Sequence, residues 1–312
     1  MKVLTGGICA GVLFGAQLWA GQNDQPLERI GFGSCYKPEK STPLWADVKK
    51  YDPQLWIWLG DNFYNDWAEG KYIRFNDDPE AFTKGYEKLK KSEGMAALQA
   101  LVPDRMMATW DDHDYGRNDG GADYPYKAAS KAYFMSFFGV AADAPMRSRE
   151  GVYDARWITR GGHRIQLLLL DTRSFRSPLV EAKTDVQCPR HRWGPNDAPE
   201  ATMLGAAQWA WLASRLREPA DLHLLVSSIQ VIPDAHCYEK WANFPRERER
   251  LLSQIDGASA PVLILSGDRH LGEISRLPAT AARRWPLLEL TSSGLNSAGA
   301  GEGERKIGRA HV

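Results

Sequence analysis

The sequence predicts an α/β layered domain, and two patterns along its 312 residues lead to that fold class. Short, almost uncharged runs recur at long intervals, which is typical of strands buried on both faces of a sheet. Segments with apolar residues at three-to-four spacing lie between several of these runs and predict amphipathic helices. With 43% hydrophobic and 25% charged residues, the chain can form one large core or two small ones. We predict one domain, over residues 27–296.

The predicted elements follow one another in this order. Runs of low charge predict strands at residues 29–33, 55–59, 105–110, 165–170, 223–227, 262–265 and 287–290. Helical spacing predicts helices at residues 43–50, 81–101, 127–138, 206–216 and 245–255. Residues 151–159, and residues 273–277 beside the last strand, alternate in polarity and are expected to pair antiparallel. Prolines and glycines across residues 178–199 predict a surface loop.

The first 20 residues have the features of a secretory signal peptide. Lys2 precedes an almost uncharged run, and Leu18-Trp19-Ala20 is an acceptable cleavage site. An uncleaved membrane anchor is the alternative interpretation. Because no twin arginine is present, general secretion is favoured over twin-arginine export. We expect a periplasmic or secreted protein without a stable membrane anchor.

The charge balance argues against two classes of partner. Lys and Arg number 39, as do Asp and Glu, so the formal net charge is zero. A chain that binds nucleic acid or an anionic membrane usually carries a positive field, which is missing here. We predict a monomer with no nucleic-acid-binding surface.

After signal cleavage three cysteines remain, an odd number for an oxidising compartment. Cys188 and Cys237 lie in proline-containing loops, and we expect them to be either paired or both free. Cys35 ends a predicted strand and is the odd thiol.

Titratable side chains follow the ends of several predicted strands, where ligands bind in such sheets. They are Cys35, Asp61, Tyr64, Asp111, Asp112, His113, Asp114, Asp171, Arg173, Asp268 and His270. Several such ends together suit a polynuclear metal site, because no single loop can surround two ions. Each residue also has an ordinary interpretation, such as a helix cap for Asp61 or a buried small side chain for Cys35. Asp171 and Arg173 are expected to form a structural ion pair behind the site.

The order Gly-Asp-x-x-Tyr, Trp-Asp-Asp-His-Asp and Ser-Gly-Asp-Arg-His resembles the calcineurin-like metallophosphoesterase superfamily. More closely, it is similar to the alkaline phosphatase D (PhoD-like) branch, as are residues 32–35, 227–230 and 239–245. The resemblance runs from about residue 30 to residue 296. It implies a four-layer α/β/β/α sandwich with two metal ions at the strand ends.

The resemblance also implies a ligand for each metal position. Asp61 matches the carboxylate that bridges the two ions. Cys35, Tyr64 and His270 match the ligands of a ferric ion, since thiolate and phenolate are anionic, polarisable donors. The ligands of a second ion, expected to be calcium, are matched by Asp112 and Asp268.

Further positions carry expected roles in binding and catalysis. His113 matches the catalytic imidazole, which stabilises phosphoryl oxygens or protonates the leaving group. Arg269 and Arg117 are candidates to clamp the non-bridging phosphate oxygens. Gln230 stands where the superfamily usually has a metal-binding histidine. The candidates to supply the missing oxygen are Asn118 and Asp119.

The implied activity is that of a secreted phosphomonoesterase or phosphodiesterase, in which a metal-activated hydroxide attacks phosphorus in line with the leaving oxygen. A glycosidase is the alternative enzyme class, because acidic pairs and tryptophans also suit sugar cleavage. It accounts for residues 111–114 but not for Cys35, Tyr64 or the Asp268/His270 pair. A secreted protein that binds phosphate or carbohydrate without hydrolysis is the third possibility.

The end of the sequence predicts that the sandwich lacks its last strands. Residues 297–304 are rich in glycine and alanine, and residues 307–312 read like a translated sequencing adapter. We therefore expect residues 297–312 to be a disordered or artefactual tail. A sheet that stops early exposes unpaired backbone groups at its edge, which invites aggregation.

Overall fold

The structure, a computed structural model, describes residues 27–64, 66–68, 71–72, 79–182 and 193–297. The predicted signal peptide and nearly all of the predicted tail lie outside these residues, as does Cys188. Within the described part of the chain, no helix is long and apolar enough to cross a membrane.

The described residues form thirteen strands and seven α-helices, together with two short 3-10 turns. The strands are β1 (Ile30–Gly33), β2 (Leu55–Leu59), β3 (Trp67–Ala68), β4 (Lys71–Tyr72), β5 (Met106–Thr109), β6 (Asp154–Arg160), β7 (His163–Leu169), β8 (Val180–Glu181), β9 (Trp193–Gly194), β10 (Leu222–Ser227), β11 (Val262–Ser266), β12 (Gly272–Leu277) and β13 (Leu287–Ser292). The helices are α1 (Leu44–Tyr51), α2 (Pro79–Lys91), α3 (Glu93–Leu101), α4 (Asp112–Tyr115), α5 (Lys127–Phe137), α6 (Gly205–Leu216) and α7 (Pro245–Asp256).

Two sheets carry the fold. The smaller sheet has the order β1-β2-β5, and its three strands are parallel. The larger sheet has the order β12-β13-β11-β10-β7-β6. Its four inner strands are parallel, whereas β6 and β12 pair antiparallel at the two edges, as the alternating polarity of these segments predicts.

Strand β2 explains why the sheets form inner layers. Leu55, Ile57 and Leu59 belong to an apolar cluster shared with strands of the larger sheet. Trp56 and Trp58 alternate with them and pack in a second cluster with residues of α1, α2, α3 and α5. A third cluster joins the outer face of the larger sheet to α6 and α7. The chain is therefore an α/β/β/α sandwich, as predicted.

The seven strands predicted from runs of low charge are confirmed, with small differences at their ends. The single helix predicted over residues 81–101 is wrong, because α2 and α3 are separate helices. Ser92 lies between them in an extended conformation, and its side chain accepts a hydrogen bond from the Met95 N–H at 3.1 Å. This bond is an N-cap, which starts a new helix in the middle of a continuous helical pattern. The loop predicted over residues 178–199 contains the short β8–β9 pair.

Candidate metal centre

Asp61 lies at the centre of the strand-end residues. It follows β2, is 1% exposed and belongs to three groups of potential metal ligands. Those groups are Cys35–Asp61–His270, Asp61–Asp112–His113 and Asp61–Asp111–Asp112–Asp268, and within each group the ligand atoms lie within 4.8 Å of one another. The Asp61 carboxylate is thus shared by two different donor sets, one with the Cys35 sulfur and the His270 nitrogen and one with the carboxylates of Asp111, Asp112 and Asp268. A bridging ligand needs this arrangement.

The backbone at the strand ends is strained. Six described non-glycine residues have positive φ, and five of them belong to these loops: Cys35, Asp61, Asp119, Asp268 and His270. Gly60, before Asp61, has φ of 102°, and a Cβ atom on it would lie 2.5 Å from the Asp111 Cβ. Strain of this kind clusters at functional sites, where the surrounding structure holds it in place.

The first donor set combines a thiol, a phenol and an imidazole. The Cys35 Sγ–H donates to Asp61 Oδ2 at 3.3 Å, and the Tyr64 hydroxyl lies 3.1 Å from His270 Nε2. His270 Nδ1 donates to the Ser297 carbonyl oxygen, so in the neutral ring Nε2 carries the lone pair. Burial, followed by the charge of Asp268, raises the pKa of Cys35 to about 11. Burial also raises the pKa of Tyr64.

The second donor set consists of carboxylates. Asp111 Oδ2 and Asp112 Oδ1 are buried and have no hydrogen-bond partner among the described residues. Burial raises the pKa of Asp61 and Asp111. The pKa of Asp268 is raised to about 7, mainly by burial and secondly by the negative charge of Asp112. Burial opposes ionisation of Asp112 as well, but His113 and Arg173 lower its pKa to about 2.

Partnerless buried carboxylate oxygens are costly unless a cation compensates them. Four acidic side chains therefore converge on a point that suits a hard cation. The first set, with its sulfur and nitrogen donors, suits a softer transition metal. The residues present thus fit two cations of different character.

His113 is held by Asp66, a residue that the sequence analysis missed. His113 Nδ1 lies 2.6 Å from Asp66 Oδ1, and the Tyr64 ring lies against the imidazole with a centroid distance of 4.2 Å. Burial opposes a charge on His113, but Asp112, Asp61 and Asp66 outweigh it and raise its pKa well above the usual range. Nothing in the sequence distinguishes Asp66 from an ordinary loop aspartate.

Arg173 behaves differently from the prediction. The expected ion pair with Asp171 is wrong, because Arg173 Nε donates to Asp111 Oδ1 at 2.6 Å and Nη1 donates to Glu239 Oε2 at 2.5 Å. Asp171 instead accepts from the Trp110 indole at 2.9 Å. Arg173 therefore neutralises part of the negative charge of the acidic cluster through Asp111.

The remaining candidates lie around this centre. Asp119 forms a further group of potential ligands with Asp112 and Glu239. The Asn118 N–H donates to Asp66 Oδ2 at 2.6 Å. Gln230 Nε2 donates to Glu273 at 2.8 Å and to Thr291 at 2.9 Å.

The two arginine candidates differ in their surroundings. The Arg117 guanidinium is paired with Asp123. The Arg269 guanidinium lies 3.9 Å from the centroid of the Tyr238 ring.

The structure describes two of the three cysteines that remain after the predicted signal cleavage, Cys35 and Cys237. Cys35 is free and buried. Cys237 is disulfide-bonded, so the alternative in which it stays free is wrong.

The fold is shared with a solved structure of PhoD. The two align with a TM-score of 0.66 at 20% sequence identity, over 88% of this chain and 59% of the PhoD chain. This chain thus spans less than two thirds of the PhoD chain that it matches. The sequence profile of the PhoD-like phosphatases matches residues 31–311. The chain belongs to the PhoD-like phosphatase family.

Two other solved structures are more distant. A dimetal phosphatase from Danio rerio matches at 14% identity with a TM-score of 0.49, over 87% of this chain and 88% of its own. GAP50, the anchor in the inner membrane complex of Plasmodium, matches at 12% identity with a TM-score of 0.44, over 88% and 75%. No curated protein matched the sequence significantly.

Proposed function

We propose that the protein is a secreted, metal-dependent phosphoric ester hydrolase. The observation that carries this proposal is the position of Asp61, whose carboxylate is shared by a thiol–imidazole donor set and a carboxylate donor set. Two cations that share a carboxylate form a clamp suited to in-line displacement at phosphorus. Membership of the PhoD-like phosphatase family supports the same reaction class.

The two donor sets differ enough to select different ions. Cys35, Tyr64 and His270, with Asp61, would hold ferric iron, because anionic sulfur and phenolate oxygen favour a transition metal. Asp112 and Asp268, with Asp61, would hold calcium, which prefers oxygen ligands. When bound, the two cations supply Lewis-acid charge neutralisation at the phosphoryl group and at the attacking water.

His113 is the proposed general acid. Its Nδ1 is held by the buried Asp66 carboxylate, whose charge favours the protonated ring, and in that form the second proton is on Nε2. From there it donates a hydrogen bond to a phosphoryl oxygen or protonates the leaving alcohol. Because Asp66 fixes Nδ1, the proton for the reaction comes from Nε2.

Arg269 is the proposed anchor for the phosphoryl group. It lies between Asp268 and His270 in the chain, and its guanidinium stacks on the Tyr238 ring. A guanidinium fixed in this way is preorganised for two parallel hydrogen bonds to phosphate oxygens. Arg117, which pairs with Asp123, is the second candidate for this role.

Export is part of the proposal and rests on two features. Residues 1–20 have the pattern of a signal peptide, and Cys237 is disulfide-bonded. Structural disulfides persist in oxidising compartments and are rare in the cytosol.

One assay tests the proposed reaction. Purified protein is given para-nitrophenyl phosphate, its bis-ester and para-nitrophenyl glycosides, each with and without a chelator. We expect chelator-sensitive release of nitrophenol from at least one phosphate ester and none from the glycosides. Cleavage of a glycoside, or phosphate-ester cleavage that survives complete metal removal, would overturn the proposal.

A further inference from the structure

A pocket of about 430 Å³ lies beside the metal centre, and we call it the side pocket. Its lining includes Gln230, Asp234, His236, Arg269, Leu271 and Glu273. Arg269 belongs to both regions, because it lines the side pocket and its charge acts on the buried Asp268 carboxylate. The volume is in the range of pockets that bind small organic molecules. A group joined to a phosphate at the metal centre can therefore extend into the side pocket.

The charges of the side pocket do not favour a second anionic group. Arg269 contributes a positive charge to the lining, whereas Asp234 and Glu273 contribute negative charges. His236 is neutral, since burial, followed by the charges of Arg269 and Lys240, lowers its pKa to about 2. A carboxylate or phosphate in the pocket would meet two acids for each cation of the described lining.

The side pocket instead offers hydrogen-bonding groups that lack partners. Both ring nitrogens of His236 are buried, and neither has a hydrogen-bond partner among the described residues. A neutral imidazole has one donor and one acceptor. Gln230 Oε1 is a second acceptor without a described partner, and its amide is held in place by the bonds from Nε2 to Glu273 and Thr291.

Buried polar groups of this kind are normally satisfied, so a ligand that supplies both donors and acceptors would bind here favourably. Hydroxyl and amide groups have this property, whereas an unsubstituted phenyl ring does not.

The wall that carries His236 is anchored to the rest of the fold. Cys237 is disulfide-bonded, and its carbonyl oxygen accepts from the Trp193 N–H of β9 at 3.1 Å. Lys240 Nζ donates to the Tyr238 carbonyl oxygen at 3.1 Å. The backbone that carries the imidazole is therefore held in place before a ligand arrives, which reduces the ordering cost of binding.

We propose that the side pocket binds the leaving alcohol of the phosphate ester and selects an uncharged alcohol with several hydroxyl or amide groups. His236 and Gln230 provide the hydrogen bonds, and Arg269 marks the border with the phosphoryl group. This inference rests on the proposed phosphoester hydrolysis and specifies its substrate class.

The test compares esters that differ in their leaving alcohol: glycerol phosphate, phenyl phosphate and phosphoglycerate, which carries an additional carboxylate. The variant His236→Leu removes the imidazole hydrogen bonds. His236→Gln keeps one donor and one acceptor. The matched control is His163→Leu, at an exposed position in β7.

We expect the wild-type protein to prefer glycerol phosphate over phosphoglycerate. His236→Leu should lower kcat/KM for glycerol phosphate about ten- to hundredfold, because the glycerol hydroxyls lose their hydrogen bonds to the imidazole. For phenyl phosphate kcat/KM should fall less than about twofold, because the phenyl ring makes no such bonds. His236→Gln should retain most of the activity, and His163→Leu should match the wild type. Equal losses on the two esters, or no loss on either, would overturn the proposal.

Calorimetry separates this proposal from the proposed reaction. The probes are dihydroxybutylphosphonate and benzylphosphonate, whose C–P bonds cannot be hydrolysed in this way. His236→Leu should weaken binding of the hydroxylated phosphonate about ten- to hundredfold and leave that of the aromatic one unchanged. A wild-type protein that hydrolyses no ester but gives this binding contrast would refute the reaction and support the side pocket. A protein that hydrolyses phosphate esters but shows no such binding contrast would support the reaction and refute the role of the side pocket.

Discussion

The imidazole of His113 and the carboxylate of Asp66 form a buried pair, with Nδ1 and Oδ1 2.6 Å apart. Asp66 is fully buried, and its other oxygen accepts the Asn118 N–H at 2.6 Å. A carboxylate held at both oxygens fixes the plane and the tautomer of the ring that it contacts. Asp66 therefore acts as a positioning residue for His113.

Replacing Asp66 should weaken turnover without removing metal. In Asp66→Asn the ring loses its charged partner, and we expect kcat to fall about ten- to hundredfold, as when the carboxylate that orients a histidine is removed. His113→Ala should lower kcat about a hundred- to ten-thousandfold at unchanged metal content. The measurements are steady-state kinetics and metal analysis of the same preparations.

A double-mutant cycle shows whether the two residues act together. If Asp66 acts through His113, adding Asp66→Asn to His113→Ala should change kcat less than about twofold. Asp47→Asn, at an exposed position in α1, is the matched control. Independent, multiplicative effects would refute the positioning role, and loss of metal in His113→Ala would make His113 a ligand.

Cys35→Ser should remove one cation and spare the other. A serine hydroxyl stays protonated at neutral pH and is a far poorer donor to a transition metal than a thiolate. Asp112 and Asp268 lie in a donor group that does not contain Cys35. We expect metal analysis to find the iron lost and the calcium retained, with turnover strongly reduced. Retention of both metals at full occupancy would contradict the assignment of Cys35.

Metal removal should make the stability of the protein depend on pH. Without cations, burial, followed by the charge of Asp112, raises the pKa of Asp268 to about 7. Burial, followed by the charge of Glu239, raises that of Asp119 to about 8. In the unfolded chain an aspartate has a pKa near 3.8. Between that pH and about 8 the folded protein binds more protons than the unfolded chain, so its free energy of unfolding falls as the pH rises.

Denaturant unfolding of the chelated protein at about pH 5.5 and about pH 8.5 measures this loss. Asp268→Asn cannot ionise at this position, so its free energy of unfolding should fall less between the two pH values. Asp47→Asn should behave like the wild type. Restoring the metals should reduce the pH dependence, because bound cations compensate the ionised carboxylates. Chelated protein that is equally stable at both pH values would contradict the account of the acidic cluster.

The strands and the position of the site were predictable because they depend on local patterns. Uncharged runs fix the strands, and parallel strands bring their carboxyl ends to one edge of a sheet. Cys35 and Asp61 follow the neighbouring strands β1 and β2 of the smaller sheet and therefore converge, although they are 26 residues apart. Asp268 follows β11 and reaches Asp61 from the larger sheet. The roles assigned to them came from the resemblance to a family and not from the patterns alone.

Long-range partners were not predictable in this way. Proximity in the sequence predicts that Arg173 pairs with Asp171, but in the structure Arg173 pairs with Asp111 and Glu239, which lie 62 and 66 residues away. Asp66 was missed for the same reason, because its partner His113 is 47 residues distant. Ser92 was missed because the apolar spacing continues across it, while its hydroxyl begins a new helix.

The most direct test of the account is the metal content and turnover of Asp61→Asn beside the wild type. The amide keeps the shape of the side chain but loses the charge that two cations would share. We predict two metal ions per wild-type chain, and loss of nearly all phosphoester hydrolysis together with most of the bound metal in a variant that stays folded by circular dichroism. An Asp61→Asn protein that keeps full turnover and both metal ions would contradict the central claim that Asp61 bridges a dinuclear centre.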